Sequence, residues 1–103
     1  MIFETLYEAW ANDELLLIDN GFCHWHLRRD GQLTIREIFS THKGAGNKIL
    51  NILKRTSGAT SIFAKCPIDL VANDWYAKQG FICEGEEVTK TGRKINKWRL
   101  SLS

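Results

Sequence analysis

Residues 38–48 combine basic side chains and glycines in a pattern that could bind an anion. The stretch reads Ile-Phe-Ser-Thr-His-Lys-Gly-Ala-Gly-Asn-Lys and runs from the end of a predicted strand into a predicted helix. Amides at the start of a helix point outward, and the helix dipole favours negative charge there. Gly44 and Gly46 would let the backbone approach a phosphate closely, while His42 and Lys43 add positive charge. The sequence therefore predicts a phosphate-binding turn.

This turn matches neither of the two common nucleotide-binding motifs. A Walker turn ends in Gly-Lys-Ser/Thr, whereas Gly46 is followed by Asn47. The dinucleotide fingerprint requires a third glycine three residues after the second, and that position is Ile49. The phosphate ligand must therefore be inferred from other parts of the chain.

Residues 69–81, taken together with the turn, resemble the GCN5-related N-acetyltransferase (GNAT) superfamily. The first motif of that family reads Gln/Arg-x-x-Gly-x-Gly/Ala, and residues 41–46 match it except at Thr41. The second reads Asn-x-x-Ala-x-x-aromatic-Tyr-x-x-x-Gly-Phe, and Asp69 stands in place of its asparagine. The matching positions of the second motif are Ala72, Trp75, Tyr76, Gly80 and Phe81. The resemblance covers residues 15–102 and implies a minimal-length member.

Hydrophobic periodicity and turn residues independently predict the elements that would position these motifs. Asn20-Gly21 and Asp30-Gly31 are typical of tight hairpins, which joins the first three strands into an antiparallel meander. A strand, helix and strand then form a right-handed crossover with parallel strands. The predicted elements are a helix at 4–12, strands at Leu15–Asp19, Phe22–Arg28 and Gln32–Phe39, a helix after the glycine turn, a strand at Ser61–Cys66, a helix at 69–79, and strands at Phe81–Thr89 and Lys94–Leu102.

These elements predict one α/β (α+β) domain over residues 1–103. Its mixed central sheet would hold the N-terminal meander, the βαβ crossover and, after a further helix, a C-terminal hairpin. Several side chains are predicted to share a face or to point inward. They are Leu6, Tyr7 and Trp10 on the first helix; Cys23, Trp25 and Leu27; Ile49, Leu50, Ile52 and Leu53; Val71 and Trp75; and Trp98, Leu100 and Leu102.

The resemblance implies acetyl-CoA as co-substrate, bound between two strands that splay apart. Backbone groups of Ile38, Phe39 and Ser40 would bind the pantetheine arm and the thioester carbonyl. The pyrophosphate would be held by amides of the turn, from His42 through Lys43, Gly44, Ala45 and Gly46 to Asn47. Asn73 lies one helical turn from Asp69 and could replace the missing asparagine near the pantetheine.

The resemblance also assigns two catalytic roles. Tyr76 occupies the general-acid position, from which its phenol could protonate the departing thiolate. Glu37 lies where the family sometimes places a glutamate base that accepts a proton through water. Alternatives remain open here, because Glu37 could pair with Arg36, and Tyr76 could be a buried aromatic. His24 and His26 share one strand face, and histidine is a residue type that often moves protons in catalysis, although an exposed polar face also explains them.

Composition excludes several classes. The chain has 44% hydrophobic and 25% charged residues, as soluble globular proteins do, and its longest apolar run, at 15–18, is too short to span a membrane. Without a basic start and an apolar stretch, a secretory signal is not expected, and we predict a cytoplasmic protein. Three cysteines, Cys23, Cys66 and Cys83, argue against a disulfide framework and suit buried strand positions. No metal is expected, because the neighbours Cys23 and His24 would point to opposite faces.

The charge distribution leaves the partner open. Residues 1–20 carry five acids and no lysine or arginine, so the other 83 residues have a net charge of +7. Such a body suits coenzyme A or nucleic acid, although little interleaving of basic and aromatic residues disfavours the latter. The favoured function is transfer of acetyl to a primary amine, which a protein could supply. The alternatives are a catalytically inactive interaction module and a nucleic-acid-binding protein, and a homodimer is also compatible with the sequence.

Overall fold

The structure, a computed structural model, describes residues 2–102, with the side chains of all but Ile2, Phe3, Thr5 and Leu6. Three helices and six strands follow one another along the chain. They are α1 (Ile2–Ala11), β1 (Leu15–Ile18), β2 (Gly21–Leu27), β3 (Gln32–Ser40), α2 (Ala45–Lys54), β4 (Ser61–Pro67), α3 (Ala72–Lys78), β5 (Ile82–Val88) and β6 (Lys94–Ser101). Every predicted element is present, and most boundaries agree within one or two residues.

All six strands form one mixed sheet in the order β1-β2-β3-β4-β6-β5. β3 and β4 are parallel and joined through α2, while every other neighbouring pair is antiparallel. The predicted meander, crossover and closing hairpin are therefore confirmed. In the first hairpin the two loop residues are Asp19 and Asn20, because Ile18 already pairs with Gly21.

A bulge in β3 lies at the place where β3 and β4 separate. His24 pairs with Glu37 and Trp25 with Ile35, so Arg36 is the extra residue on β3. Pairing between β3 and β4 covers Gln32 to Ile35 and ends there, although β3 continues to Ser40. The last five residues of β3 thus turn away from β4 and leave an opening in the sheet.

The main core lies on one face of the sheet, under α2 and α3. Strand residues such as Leu33 and Ile62 are buried there against Ile49, Leu50 and Leu53 of α2. Cys23, Trp98, Leu100 and Leu102 belong to this cluster or pack against it, as predicted. Alternation within the strands explains this face, because residues two apart along a strand share a side.

Tyr7 and Trp10 lie on one side of α1, as predicted, and their ring centroids are 6.2 Å apart. Both side chains are 61% exposed, however, and the residue that α1 buries is Ala9. The side chain of Leu6 lies outside the described residues. Helix periodicity identifies residues that share a side without telling which side meets the core.

Several predictions of which side chains are buried or exposed are wrong, each for a local reason. Ile52, at the margin of the α2 stripe, is exposed. α3 begins at Ala72 rather than at 69, so Val71 precedes the helix and is 86% exposed. Cys83 is exposed because β5 is an edge strand. His24, predicted on an exposed polar face, is buried.

Candidate active site

An open cleft of about 370 Å³ lies between the end of β3, the turn before α2, and α3. Its position follows from the opening in the sheet, since the separated end of β3 forms one wall and α3 the other. The lining residues are Ile38, Ser40, His42, Lys43, Gly44, Gly46, Val71, Ala72, Trp75 and Tyr76. The structure therefore brings together most of the residues that the two sequence motifs singled out, although those motifs are about thirty residues apart in the chain.

The turn into α2 has the features of an anion-binding helix start. Gly44 is the N-cap, with a left-handed φ of 92° that favours glycine, and no side chain caps the first turn. Ala45 N–H donates to the carbonyl oxygen of His42 at 3.2 Å, which tightens the turn. Amides of the first helical turn thus face outward next to the cleft.

Gly46 is required by packing rather than by backbone conformation. A Cβ atom built on Gly46 would lie 3.2 Å from the Trp75 ring, which places the indole of α3 directly against the backbone of α2. A larger residue would push α3 away and change the width of the cleft. The second glycine of the motif therefore sets the distance between the two helices.

Tyr76 is anchored on α3 by aromatic rings on three sides. Its ring makes edge contacts with Trp75 and Phe81, each at 5.1 Å between centroids, and stacks on Trp98 at 6.2 Å. The residue is only 4% exposed. Such packing fixes the phenol in one orientation.

The hydroxyl of Tyr76 opens towards the cleft. It has no hydrogen-bond partner among the described residues. Every fully buried side-chain oxygen or nitrogen of those residues does have a partner, so the Tyr76 hydroxyl is not fully buried. Burial raises the pKa of the Tyr76 phenol well above its usual range, and the nearby thiols of Cys66 and Cys23 raise it further. The phenol is therefore protonated at neutral pH and can donate a hydrogen bond or a proton into the cleft.

Asn73 is not among the residues that line the cleft, and its side chain makes four hydrogen bonds to other parts of the protein. Its side-chain amide donates to the carbonyl oxygens of Pro67 at 2.8 Å and Leu70 at 2.7 Å. Its Oδ1 accepts from Asn96 Nδ2 and from Trp98 Nε1, both at 3.0 Å. The sequence offered no signal for this role, which depends on contacts with β6 more than twenty residues away.

Glu37 lies on the other face of the sheet. Its neighbour Ile38 lines the cleft, and adjacent strand residues point to opposite sides, so the carboxylate of Glu37 faces away from Tyr76. Arg36, its considered partner, instead approaches Glu14 at 4.0 Å. Within residues 2–102 no hydrogen bond or ion pair engages the Glu37 carboxylate.

The remaining predicted coenzyme residues occupy different surroundings. Phe39 is 52% exposed, and its ring contacts Phe22 at 5.8 Å, which leaves only its backbone towards the opening. Ala45 is buried and borders a second cavity, while Asn47 is exposed on α2. The departures from the motifs also have partners: Thr41 bonds to Asn20 and His42, and Asp69 approaches Arg93 at 3.8 Å.

The described part of the chain was compared with the requirements of a metal site and of a membrane-spanning helix. Within it, no group of three or more histidine, cysteine or acidic residues is arranged to hold a metal ion. His26 instead contacts the Glu14 carboxylate. No helix formed by residues 2–102 has the length and apolar character needed to cross a membrane.

Comparison with solved structures identifies the fold. A protein assigned to the GNAT family of acetyltransferases from Desulfovibrio desulfuricans superposes with a TM-score of 0.74 at 16% identity, over 97% of this chain and 76% of that one. This chain has the GNAT acetyltransferase fold. Ard1 from Thermoplasma volcanium gives a TM-score of 0.77 at 13% identity, over 96% of this chain and 76% of that one.

A third GNAT-fold neighbour is RimL, a ribosomal-protein α-N-acetyltransferase. It gives a TM-score of 0.70 at 11% identity, over 96% of this chain and 77% of that one. No protein-family model matches the sequence, and no curated protein matches it either. The fold is therefore shared, while the sequences have diverged almost completely.

Proposed function

We propose that this protein is an acetyl-CoA-dependent N-acetyltransferase that transfers the acetyl group to a primary amine. The observation that carries the proposal is the Tyr76 hydroxyl, which is protonated and has no hydrogen-bond partner among the described residues, in a cleft that begins at an uncapped helix start. The fold supports the same conclusion, since its solved neighbours are acetyltransferases.

In this proposal the coenzyme follows the cleft from α2 to the opening in the sheet. The amides of residues 42–47 hold the pyrophosphate, with His42 and Lys43 supplying positive charge. Backbone groups of Ile38, Phe39 and Ser40 bind the pantetheine arm, because β3 has no partner strand beyond Ile35 on that side. Asn73 acts indirectly by fixing the start of α3.

Acetyl transfer then proceeds by attack of the amine nitrogen on the thioester carbonyl. The tetrahedral intermediate collapses with cleavage of the carbon–sulfur bond, and the thiolate of coenzyme A departs. Tyr76 donates its proton, or a hydrogen bond, to that sulfur, which lowers the energy of the leaving group. Burial keeps the phenol protonated before the reaction. Because burial also disfavours the phenolate, donation of a hydrogen bond to the departing sulfur is the favoured of the two roles.

Glu37 takes the proton that the amine must lose, through water. Its carboxylate is unpaired within the described residues and faces the side of the sheet opposite to the coenzyme cleft. An amine that enters from that side would meet the carboxylate before it reaches the thioester. In this arrangement the proton acceptor, Glu37, and the proton donor, Tyr76, lie on opposite faces of the sheet.

The acceptor belongs to the class of primary amines, and a protein terminus or lysine fits best. RimL acts on a ribosomal protein, which shows that this fold can accommodate such substrates. On the Glu37 side, β4, β5 and β6 present charged side chains such as Lys65 and Arg99 rather than a covering helix. The need for acetyl-CoA agrees with the predicted cytoplasmic location.

The experiment that tests the proposal is calorimetric titration with acetyl-CoA of the wild-type protein and of Gly46→Glu. The glutamate adds bulk against Trp75 and negative charge beside the phosphate-binding amides, so we expect micromolar binding to be lost. Asn51→Glu is the matched control, because Asn51 is exposed on the same helix and outside the cleft. A folded wild-type protein that does not bind acetyl-CoA would refute the enzyme and leave an interaction module with this fold.

A further inference from the structure

Thr41 departs from the first GNAT motif, and its contacts show what the threonine does instead. Its backbone N–H donates to the carbonyl oxygen of Asn20 at 2.7 Å, and its hydroxyl donates to the same oxygen at 3.1 Å. The turn between β1 and β2 is therefore tied to the turn before α2 by two hydrogen bonds. A long glutamine or arginine side chain at this position would not make this short connection.

Gly21 makes the connection between the two turns possible. It pairs with Ser40, and a Cβ atom on Gly21 would lie 2.3 Å from the carbonyl oxygen of Phe39. Any other residue would force the β1–β2 turn away from the end of β3. The close approach of these strands thus brings Asn20 within reach of Thr41.

The same hydroxyl also orients His42. Thr41 Oγ1 lies 3.0 Å from His42 Nδ1. A hydroxyl has one proton, and Thr41 gives it to Asn20, so Oγ1 must accept from an Nδ1–H group of His42. The other ring nitrogen, Nε2, is then the one left to contact a ligand.

His42 occupies the boundary between two cavities. It lines the cleft of the proposed active site and also a second cavity of about 410 Å³ on the other side of the turn. The charged residues that share the second cavity are Asp19 from the β1–β2 turn, Lys43 from the turn before α2, and Lys48 from α2. As an imidazolium, His42 would present an Nε2–H donor beside two lysines, which suits a phosphate oxygen.

We propose that Thr41 is a positioning residue that holds His42 as a phosphate donor, in place of the long side chain usual in the motif. The proposal rests on the proposed function, because the phosphate is that of coenzyme A. The anchored Asn20 carbonyl fixes Thr41, and Thr41 fixes the ring of His42. As an imidazolium, which carries a proton on both ring nitrogens, His42 then donates through Nε2–H to the coenzyme. The departure from the motif then preserves coenzyme binding by other means.

The first test needs no ligand. Nitrogen-15 NMR of the imidazole rings at pH about 8, where an ordinary imidazole is neutral, reports which ring nitrogen carries the proton. We expect the Nδ1–H form for His42 in the wild-type protein and in Thr41→Ser, and loss of that preference in Thr41→Val. The signals of His42 are identified by their absence in His42→Gln. An Nε2–H ring in the wild-type protein would overturn the positioning role even if the enzyme assignment is correct.

The second test measures affinity for coenzyme A at pH about 6, where an ordinary imidazole is charged. Thr41→Val should weaken binding about fivefold to tenfold, the effect of one charge-assisted hydrogen bond, and Thr41→Ser should restore it. Thr41→Val should have little further effect in His42→Gln, because the two residues act through one contact. Pantetheine, which lacks phosphates, should bind all variants equally.

The outcomes separate the two proposals. Equal affinities of the wild-type protein and Thr41→Val for coenzyme A would refute the role of Thr41 while leaving the coenzyme site intact. Equal losses for pantetheine and coenzyme A would indicate a general disturbance of the cleft and also refute it. A wild-type protein that binds neither probe would refute the proposed function, and the NMR result would still decide whether Thr41 orients His42.

Discussion

The two faces of the sheet around the separated end of β3 have opposite chemical character. On one face, α2 and α3 cover an aromatic cluster in which Tyr76 is 4% exposed between Trp75, Phe81 and Trp98. On the other, charged side chains pair in the open: Lys65 with Glu87, and Arg99 with Glu84, each at 2.8 Å. Arg99 also lies 4.9 Å above the ring of Phe63.

In the proposed mechanism, the acid Tyr76 and the base Glu37 therefore act from opposite sides of one thin sheet. Burial on the helical face disfavours ionisation of the Tyr76 phenol. Pairing of β3 with β4 ends at Ile35, next to the bulge at Arg36, which leaves an opening in the sheet close to Glu37. The following predictions test whether the two faces have these separate roles.

The largest expected effect is on the helical face, in Tyr76→Phe. Loss of the proton donor should lower acetyl transfer about a hundredfold or more. Affinity for acetyl-CoA should stay within about twofold of wild type, because the ring packing is retained. The measurement is steady-state transfer to an amine acceptor alongside calorimetry. Tyr7→Phe, which alters the only other tyrosine, an exposed one, is the control; unchanged turnover in Tyr76→Phe would remove the phenol from the mechanism.

The next largest effect is on stability, through the hydrogen bonds that Asn73 makes beneath the helical face. Asn73→Ala removes four hydrogen bonds and leaves Trp98 Nε1 without its acceptor, so the free energy of unfolding should fall by about 2 kcal/mol or more. Urea denaturation measures the change, and exposed Asn51→Ala provides a control on helix α2. A loss of coenzyme affinity without a loss of stability would instead show that Asn73 contacts the coenzyme directly.

On the open face, Glu37→Gln should lower the turnover number about tenfold near neutral pH, since general-base assistance by a positioned carboxylate is removed. Binding of acetyl-CoA should not change, because the coenzyme lies on the other face. Glu86→Gln, on the exposed edge strand β5, keeps the same charge change away from the site. Equal turnover in wild type and Glu37→Gln would mean that water or the substrate amine manages the proton.

The smallest expected effect is a fall in stability at alkaline pH, caused by a thiol that is buried on the helical face. Burial raises the pKa of Cys23 from 9.0 to about 12, so the folded state resists an ionisation that the unfolded chain undergoes. This contribution is intact below pH 9 and is lost as pH rises from 9 towards about 12. Stability should therefore fall by about 1 kcal/mol between pH 9 and pH 10.

Thermal unfolding at several pH values measures that slope. Replacement of the exposed Cys83 by alanine should leave it unchanged, whereas Cys23→Ala should flatten it between pH 9 and pH 10. Tyr76 should add a further loss above pH 10, because its pKa is also raised by burial. A flat profile in the wild-type protein would contradict the low polarity assigned to this face.

Sequence reasoning succeeded where the information is local. Hairpins, the crossover and the positions of α2 and the last strand follow from turn residues and from alternation, both of which operate over a few residues. It failed to predict which face of a helix or strand packs against the rest of the protein. Val71 was assigned to the inner side of its helix and Cys83 to a buried strand position, and the structure leaves both exposed.

The candidate site shows the same division. Two short motifs predicted Tyr76 and the residues of the turn from residue type and spacing, and the structure places most of these residues around one cleft. Other contacts join residues that are far apart in the chain. Asn73 hydrogen-bonds to Asn96 and Trp98, and Thr41 hydrogen-bonds to Asn20. A single sequence has no pattern from which such contacts could be read.

The order of the elements, the glycine turn and the tyrosine of the second motif could all be predicted from the amino-acid sequence. Three features became known only from the folded chain: β3 separates from β4 after Ile35, Trp75 packs on Gly46, and Glu37 and Tyr76 face opposite sides of the sheet. The two groups differ in how far apart in the chain the interacting residues are. Turn geometry and side-chain alternation are fixed by neighbours in the chain, whereas clefts, burial and the pKa of a phenol depend on which distant surfaces pack together.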